Sequence, residues 1–251
     1  MKYALLFALA ASPLAAQDLQ PTDGFGRLSA DLGFGASYAP SYEGSDENEL
    51  APWFIARNAT FRLRAFGDGG EGSKSNFLIV PSFNYIGERD EDDDSDLEGL
   101  ESIDAAYEVG GRVVYDYGNF RTYAVARRGF GGHEGIVGEV GFDYYYQATD
   151  RLLISFGPNV TMADDEYMET YFGVSDGDAA TSGYSAYEPS GGFKSAGFET
   201  QARYAIGEKT AIVGEFEYNR LLEDAADSPI VQDEDQYSVR LGVTRRFSLG
   251  F

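Results

Sequence analysis

Gln236-Tyr237-Ser238-Val239-Arg240-Leu241-Gly242-Val243-Thr244-Arg245-Arg246-Phe247-Ser248-Leu249-Gly250-Phe251 closes the chain, and its reading decides the fold. Counted back from the end, Phe251, Leu249, Phe247, Val243, Leu241, Val239 and Tyr237 occupy every second position, with Arg245 alone breaking the row. Polar or small residues fill the positions between. A strict period of two marks a β-strand with one face on an apolar phase and the other on water. The apolar row runs to the last residue, whereas chain ends are normally polar and fray.

Such an ending resembles the closing strand of bacterial outer-membrane barrels, and the remainder of the chain is consistent with it. At 251 residues the chain suits one large β domain or two small ones. Gly, Tyr and Phe are abundant, a strand-and-turn composition. Cysteine is absent, which removes disulfides, thiolate metal sites and a Cys nucleophile from consideration. A formal charge of −23 argues against nucleic acid, which selects a basic footprint. The same acidity suits a place beside membrane lipid and anionic lipopolysaccharide only where divalent cations screen it; acidity that simply keeps a protein soluble is the plainer reading.

Lys2, the apolar residues 3–11 and the small-residue stretch Pro13-Leu14-Ala15-Ala16 predict a signal peptide over residues 1–16, leaving 17–251 as a barrel domain. No later run approaches the ~20 apolar residues of a membrane helix, so a membrane-embedded mature chain would have to cross with strands.

Alternation recurs upstream. Leu28, Ala30, Leu32, Phe34, Ala36 and Tyr38 form one row; Trp53, Ile55, Ala59, Phe61 and Leu63 another, with Arg57-Asn58-Ala59 as a possible hairpin turn inside it. Further rows follow at 77–85, 105–117, 136–146, 152–162, 196–206 and 212–218, while 120–128 has two faces of nearly equal polarity. This predicts an all-β antiparallel transmembrane barrel of ten strands. Splitting at Asn58 and reading residues 167–174 as a strand gives twelve. In the ten-strand reading, short turns near 67–74, 117–119, 148–150 and 207–209 share one end, and the long segments share the other. A soluble sandwich or lipocalin-like barrel fits less well: the apolar rows mix aromatic and small residues, while the intervening rows carry charges of both signs. Those charges, Arg62, Arg64, Glu108, Arg112, Glu139, Asp143, Glu199, Arg203, Glu215, Glu217 and Arg240, are expected to pair inside the lumen.

Three loop segments resemble the MipA/OmpV family of Gram-negative outer-membrane proteins. The first runs from Gly35 to Asp46 and ends in Tyr42-Glu43-Gly44-Ser45-Asp46. The second holds Tyr171-Phe172-Gly173-Val174-Ser175, then Ser182-Gly183-Tyr184, Tyr187-Glu188-Pro189 and Gly191-Gly192. The third is Asp224-Ala225-Ala226-Asp227-Ser228-Pro229-Ile230-Val231. The chain departs from the family at Asp92-Asp93-Asp94. The resemblance implies a scaffold linking a murein transglycosylase to a murein synthase; a narrow osmoregulated pore or a surface adhesion barrel is the alternative. By residue chemistry alone these motifs are turns, either packing on themselves to plug the mouth or presenting a binding surface. Under either reading the long loops face outward, which leaves the periplasmic side only short turns and residues 17–27.

Enzymatic chemistry has little to build on. The single histidine, His133 in Gly131-Gly132-His133-Glu134-Gly135, reads as polar loop surface. Asp164-Asp165-Glu166 and Asp92-Asp93-Asp94 lack the spacing of a calcium loop, and no cofactor is expected.

Overall fold

The computed structural model describes residues 26–63, 76–91 and 94–250. The expected signal peptide over 1–16, residues 17–25, the expected turn at 67–74, Arg64, Asp92, Asp93 and Phe251 lie outside the described residues. Ten antiparallel strands follow in chain order: β1 (Gly26–Pro40), β2 (Asn48–Leu63), β3 (Phe77–Ile86), β4 (Ala106–Tyr117), β5 (Phe120–Gly131), β6 (Ile136–Gln147), β7 (Leu152–Ala163), β8 (Gly192–Ala205), β9 (Thr210–Leu221) and β10 (Asp235–Gly250). From β3 to β10 consecutive strands pair in chain order, and β10 then pairs with β1, which carries β2 on its other side. The first and last strands are thus zipped together, from Arg27 opposite Gly250 to Tyr38 opposite Val239. The sheet curls until β2 and β3 approach each other, with no ladder between them among the described residues. Arg57 of β2 reaches across the interior to Glu199 of β8 and Glu215 of β9, so the curl encloses a lumen.

The burial pattern is inverted relative to a soluble protein. Phe34, Leu50, Phe54 and Ile79 are each at least two-thirds exposed, and similar apolar side chains ring the outside on every strand. A contiguous apolar surface of this extent is untenable in water and natural in lipid. Asp31, Glu108, Glu215 and Thr244 are buried inside. Antiparallel pairing also satisfies the backbone along every described ladder, which a bilayer demands at several kcal/mol per unpaired group. On β5, whose polarity left its facing open, Phe120, Ala124, Ala126 and Phe130 point outward while Arg121, Tyr123, Val125 and Arg127 point inward.

One row runs opposite to expectation. Trp53 and Ile55 were expected on the lipid face, yet Ile55 is 3% exposed and points inward, while Phe54 is 78% exposed. The cause is a bulge: Ser29 pairs with Thr60 but Asp31 pairs with Arg57, so Asn58 and Ala59 together oppose Ala30. One extra residue reverses the facing of everything beyond it. The bulge also stands where a hairpin turn would have split β2, so the strand is continuous. Residues 167–174, the other segment of the twelve-strand reading, are mainly helical.

Candidate functional site

The connections divide by end. Gly118-Asn119, 148–151 and 206–209 turn tightly at the end that holds the termini of β1 and β10. The long connections gather at the opposite mouth and fold there into a cap.

The centre of the cap is helix α1 (Asp165–Phe172). It starts because the Asp164 carboxylate accepts a hydrogen bond from the Tyr167 N–H at 3.1 Å, with Asp165 and Glu166 favourably placed in the first turn. Its buried face, Tyr167, Met168, Tyr171 and Phe172, packs on Val137, Ala163 and Leu221 of the rim and on Ala225 of the last long connection. That face has helical spacing, and Asp164 is a legible N-cap; these were the available signals in a stretch otherwise read as loop. Arg89 completes the helix by donating from Nη1 to the Tyr171 carbonyl at 3.0 Å. Asp164 and Asp165 are thereby structural, since Asp165 also accepts the Gly191 N–H. A second helix, α2 (Asp176–Ser182), begins with a Ser175–Asp178 capping box and ends at Gly183 in the left-handed region.

The three family-like segments meet in this cap. The Tyr42 hydroxyl donates to the Ile230 carbonyl at 3.0 Å, and the Gly44 carbonyl accepts from the N–H groups of Gln232 and Asp233. Gly44 has φ +104, and a β-carbon there would sit 2.6 Å from Val231 Cγ2, so the residue type is required twice over. Ser228 donates to the Phe172 carbonyl at 2.6 Å, just before Gly173, and Tyr187 donates to the Asp224 carbonyl at 2.8 Å. Asp227 is exposed, Pro229 half-buried between Ser228 and Ile230, and Asp46 exposed. The acidic stretch is partly internal: Asp94 is buried and accepts from Ser41 at 2.7 Å and Ser45 at 3.1 Å, while Leu97 and Leu100 pack with Tyr42, Val174 and Ile230. Burial opposes the Asp94 charge, but hydrogen bonds from Ser41, the Asp96 N–H and Ser45 outweigh it and hold its pKa below the ordinary carboxylate value.

Beneath α1 lies a polar layer. Glu43 accepts from the Tyr167 hydroxyl at 3.0 Å and pairs closely with Lys194 of β8. His133, expected at the surface, has no exposed side-chain area. Its ring meets Tyr167 and Tyr171 at centroid distances of 5.0 and 5.5 Å and rests on Gly129, where any β-carbon would overlap it. Nε2 is 3.5 Å from Glu108 Oε1, and neither ring nitrogen makes a hydrogen bond among the described residues. Glu108 is itself committed to Arg127 at 2.8 Å and Asn84 at 3.0 Å.

Deeper in, charges brace the lumen. Glu215 receives Arg57 at 2.5 Å and Arg240 at 2.6 Å, and Arg240 also holds Glu217 at 2.7 Å. Glu199 lies 3.7 Å from Arg57. Glu139 accepts from the Tyr123 hydroxyl at 2.7 Å, and the Arg112 guanidinium stacks 3.8 Å above the Tyr123 ring. Asp143 and Arg203 stand on the inward rows of β6 and β8. Arg62 belongs to β2, and Arg64 lies outside the described residues. Arg57, Arg127 and the Asp31–Arg246 pair, at 2.7 Å, are further members that the sequence pattern did not single out. The bulge hid Arg57, and the balanced polarity of β5 hid Arg127.

A lipid-facing apolar band, a charge-filled lumen and a mouth folded shut by its own loops define an outer-membrane β-barrel. The sequence profile of the family described as MltA-interacting protein MipA matches residues 32–247, and the chain belongs to that family. Among curated relatives it is similar to the "Putative outer membrane protein YiaT" of Escherichia coli strain K12, 25% identical over 224 residues, covering 86% of this chain and 90% of that one. It is also similar to the "MltA-interacting protein" of the same strain, 28% identical over 136 residues, covering 52% and 54%. Among solved structures the NanC porin superposes with a TM-score of 0.37 at 9% identity, over 87% of this chain and 98% of that one.

Proposed function

We propose that the protein is a closed, non-enzymatic barrel that serves the murein-synthesising machinery as a membrane-held scaffold. The observation that carries this reading is the cap, in which the three family-like segments bond to one another and, among the described residues, fold over the mouth. Below it, Arg57, Glu215 and Arg240 tie β2, β9 and β10 together across the lumen. No imidazole stands at the surface to act as a base for hydrolysis, because the chain's single histidine lies under α1. The link to murein rests on the name of the relative described as interacting with MltA. With the long loops consumed in the cap, the contact surface for a periplasmic enzyme is the tight-turn end together with residues 17–25.

The test is retention of purified murein transglycosylase and murein synthase on the immobilised, detergent-solubilised protein. Both are expected to be retained, and deletion of residues 17–25 is expected to weaken retention. A second reading draws on the outer surface of the cap, where Asp46, Glu47, Glu98, Asp176 and Asp227 are exposed on a well-packed base. Loss of both enzymes, combined with binding of a cationic surface ligand that is abolished by neutralising these residues, would replace the scaffold with a surface-binding barrel.

A further inference from the structure

We infer that His133 is a protonation-sensitive latch for the α1 plug, so that mild acid loosens the helix from the barrel mouth. The inference is independent of any partner. It begins with placement: the imidazole is sealed between the barrel wall at Gly129 and the rings of Tyr167 and Tyr171, which belong to the plug. Every element around it contributes a charged or titratable group. These are Glu108 from β4, Arg127 from β5, Asp164, Tyr167 and Tyr171 from α1 and its cap, Glu43 from the β1–β2 loop, and Lys194 from β8.

The latch is built for a neutral ring. Protonated, His133 would face only the Glu108 Oε1 at 3.5 Å, since Arg127 and Asn84 hold the other oxygen, and its second N–H would sit in an aromatic slot with no acceptor among the described residues. Burial accordingly lowers the imidazole pKa below its ordinary value, with the carboxylates of Glu108, Asp164 and Glu43 pulling the other way and Lys194 reinforcing the drop. A folded pKa below the open-state value means that the closed plug keeps its full stability above about pH 6.5 and loses it as the pH falls through the folded value. Lifting α1 opens the slot to water, where His133 takes the proton freely. The Asp94 clasp has the same sign but acts only below the ordinary carboxylate range near pH 4, so the two windows are separate.

The absence of native cysteine makes the test direct. Ala163→Cys places a probe on the barrel wall beneath α1, and Glu169→Cys places a control on the exposed face of the helix. The ratio of their labelling rates by a thiol reagent, measured on the full protein in lipid vesicles from pH 7.5 to pH 5, cancels the common thiolate dependence. The ratio is expected to rise as pH falls, by up to about tenfold for each unit of imidazole depression, and to stay flat in His133→Gln. Glu108→Gln removes the strongest upward pull on the ring, so its midpoint should move to lower pH; this second variant decides the matter if His133→Gln fails to assemble. A flat ratio in the parent protein, an undiminished rise in His133→Gln, or an unmoved midpoint in Glu108→Gln overturns the latch.

Discussion

Glu215 is the residue on which the interior pairing converges. Its carboxylate is nearly inaccessible and holds two arginines from different strands, Arg57 and Arg240. Removing one member of a buried ion network leaves the others charged and unsolvated, which costs about 3–5 kcal/mol, whereas an exposed pair is worth about 0–1 kcal/mol. Glu215→Ala is therefore expected to lower the urea unfolding midpoint clearly. Glu134→Ala, which breaks the exposed 3.5 Å contact with Arg128, should leave that midpoint in place. Equal shifts for the two would show that the network contributes no more than a surface pair. Gly44 offers a test at the mouth, since its left-handed backbone and its contact with Val231 both exclude a side chain. Gly44→Val should cost about 1–3 kcal/mol locally and appear as faster proteolysis of residues 222–234 with the barrel intact.

At the scale of elements, α1 is the least self-sufficient part of the molecule. Eight residues are too few for a helix to hold in water by itself, so its stability comes from the apolar face seated on the rim and from its two capping contacts. Asp164→Ala should cost about 1 kcal/mol by removing the N-cap, measured as increased cleavage within 164–173 while the β-sheet circular dichroism is unchanged. The strands contrast with this helix in how far their sequence could be read. Period-two rows such as Leu32, Phe34, Ala36 and Tyr38, or Ile212, Gly214 and Phe216, state their facing directly, because a strand in a barrel wall has one lipid face throughout. That logic fails where the register shifts: the break at Arg57-Asn58-Ala59 could be read as a turn, and only the pairing with β1 shows it to be a bulge. The cap was legible only in pieces. Tyr42, Tyr171 and Ser228 belong to three recognisable motifs, but their bonding partners lie scores of residues away, and the burial of His133 follows from a helix that the loop-like composition of 163–194 concealed.

For the molecule as a whole, the cap and the lumen braces form two barriers in series, and their arrangement predicts how the protein conducts. Eight strands enclose an interior that side chains just fill, and ten enclose only slightly more. That added space is spanned by Arg57, Glu199, Glu215, Glu217 and Arg240, joining β2, β8, β9 and β10. Lifting the cap therefore leaves the ion network in place below it. In planar bilayers the intact protein is expected to show no steady large conductance, and replacing residues 164–191 by a short glycine-rich linker should raise the current only slightly. The combination of that replacement with Arg57→Gln and Glu215→Gln exchanges charges for neutral amides of similar size and removes the cross-lumen tie. It should produce discrete, small cation-preferring openings, because Glu199 and Glu217 remain on the wall. Large conductance from the intact protein would show that the mouth is open in a membrane. Large conductance on cap removal alone would place the whole barrier in the loops and leave the braces a purely structural role.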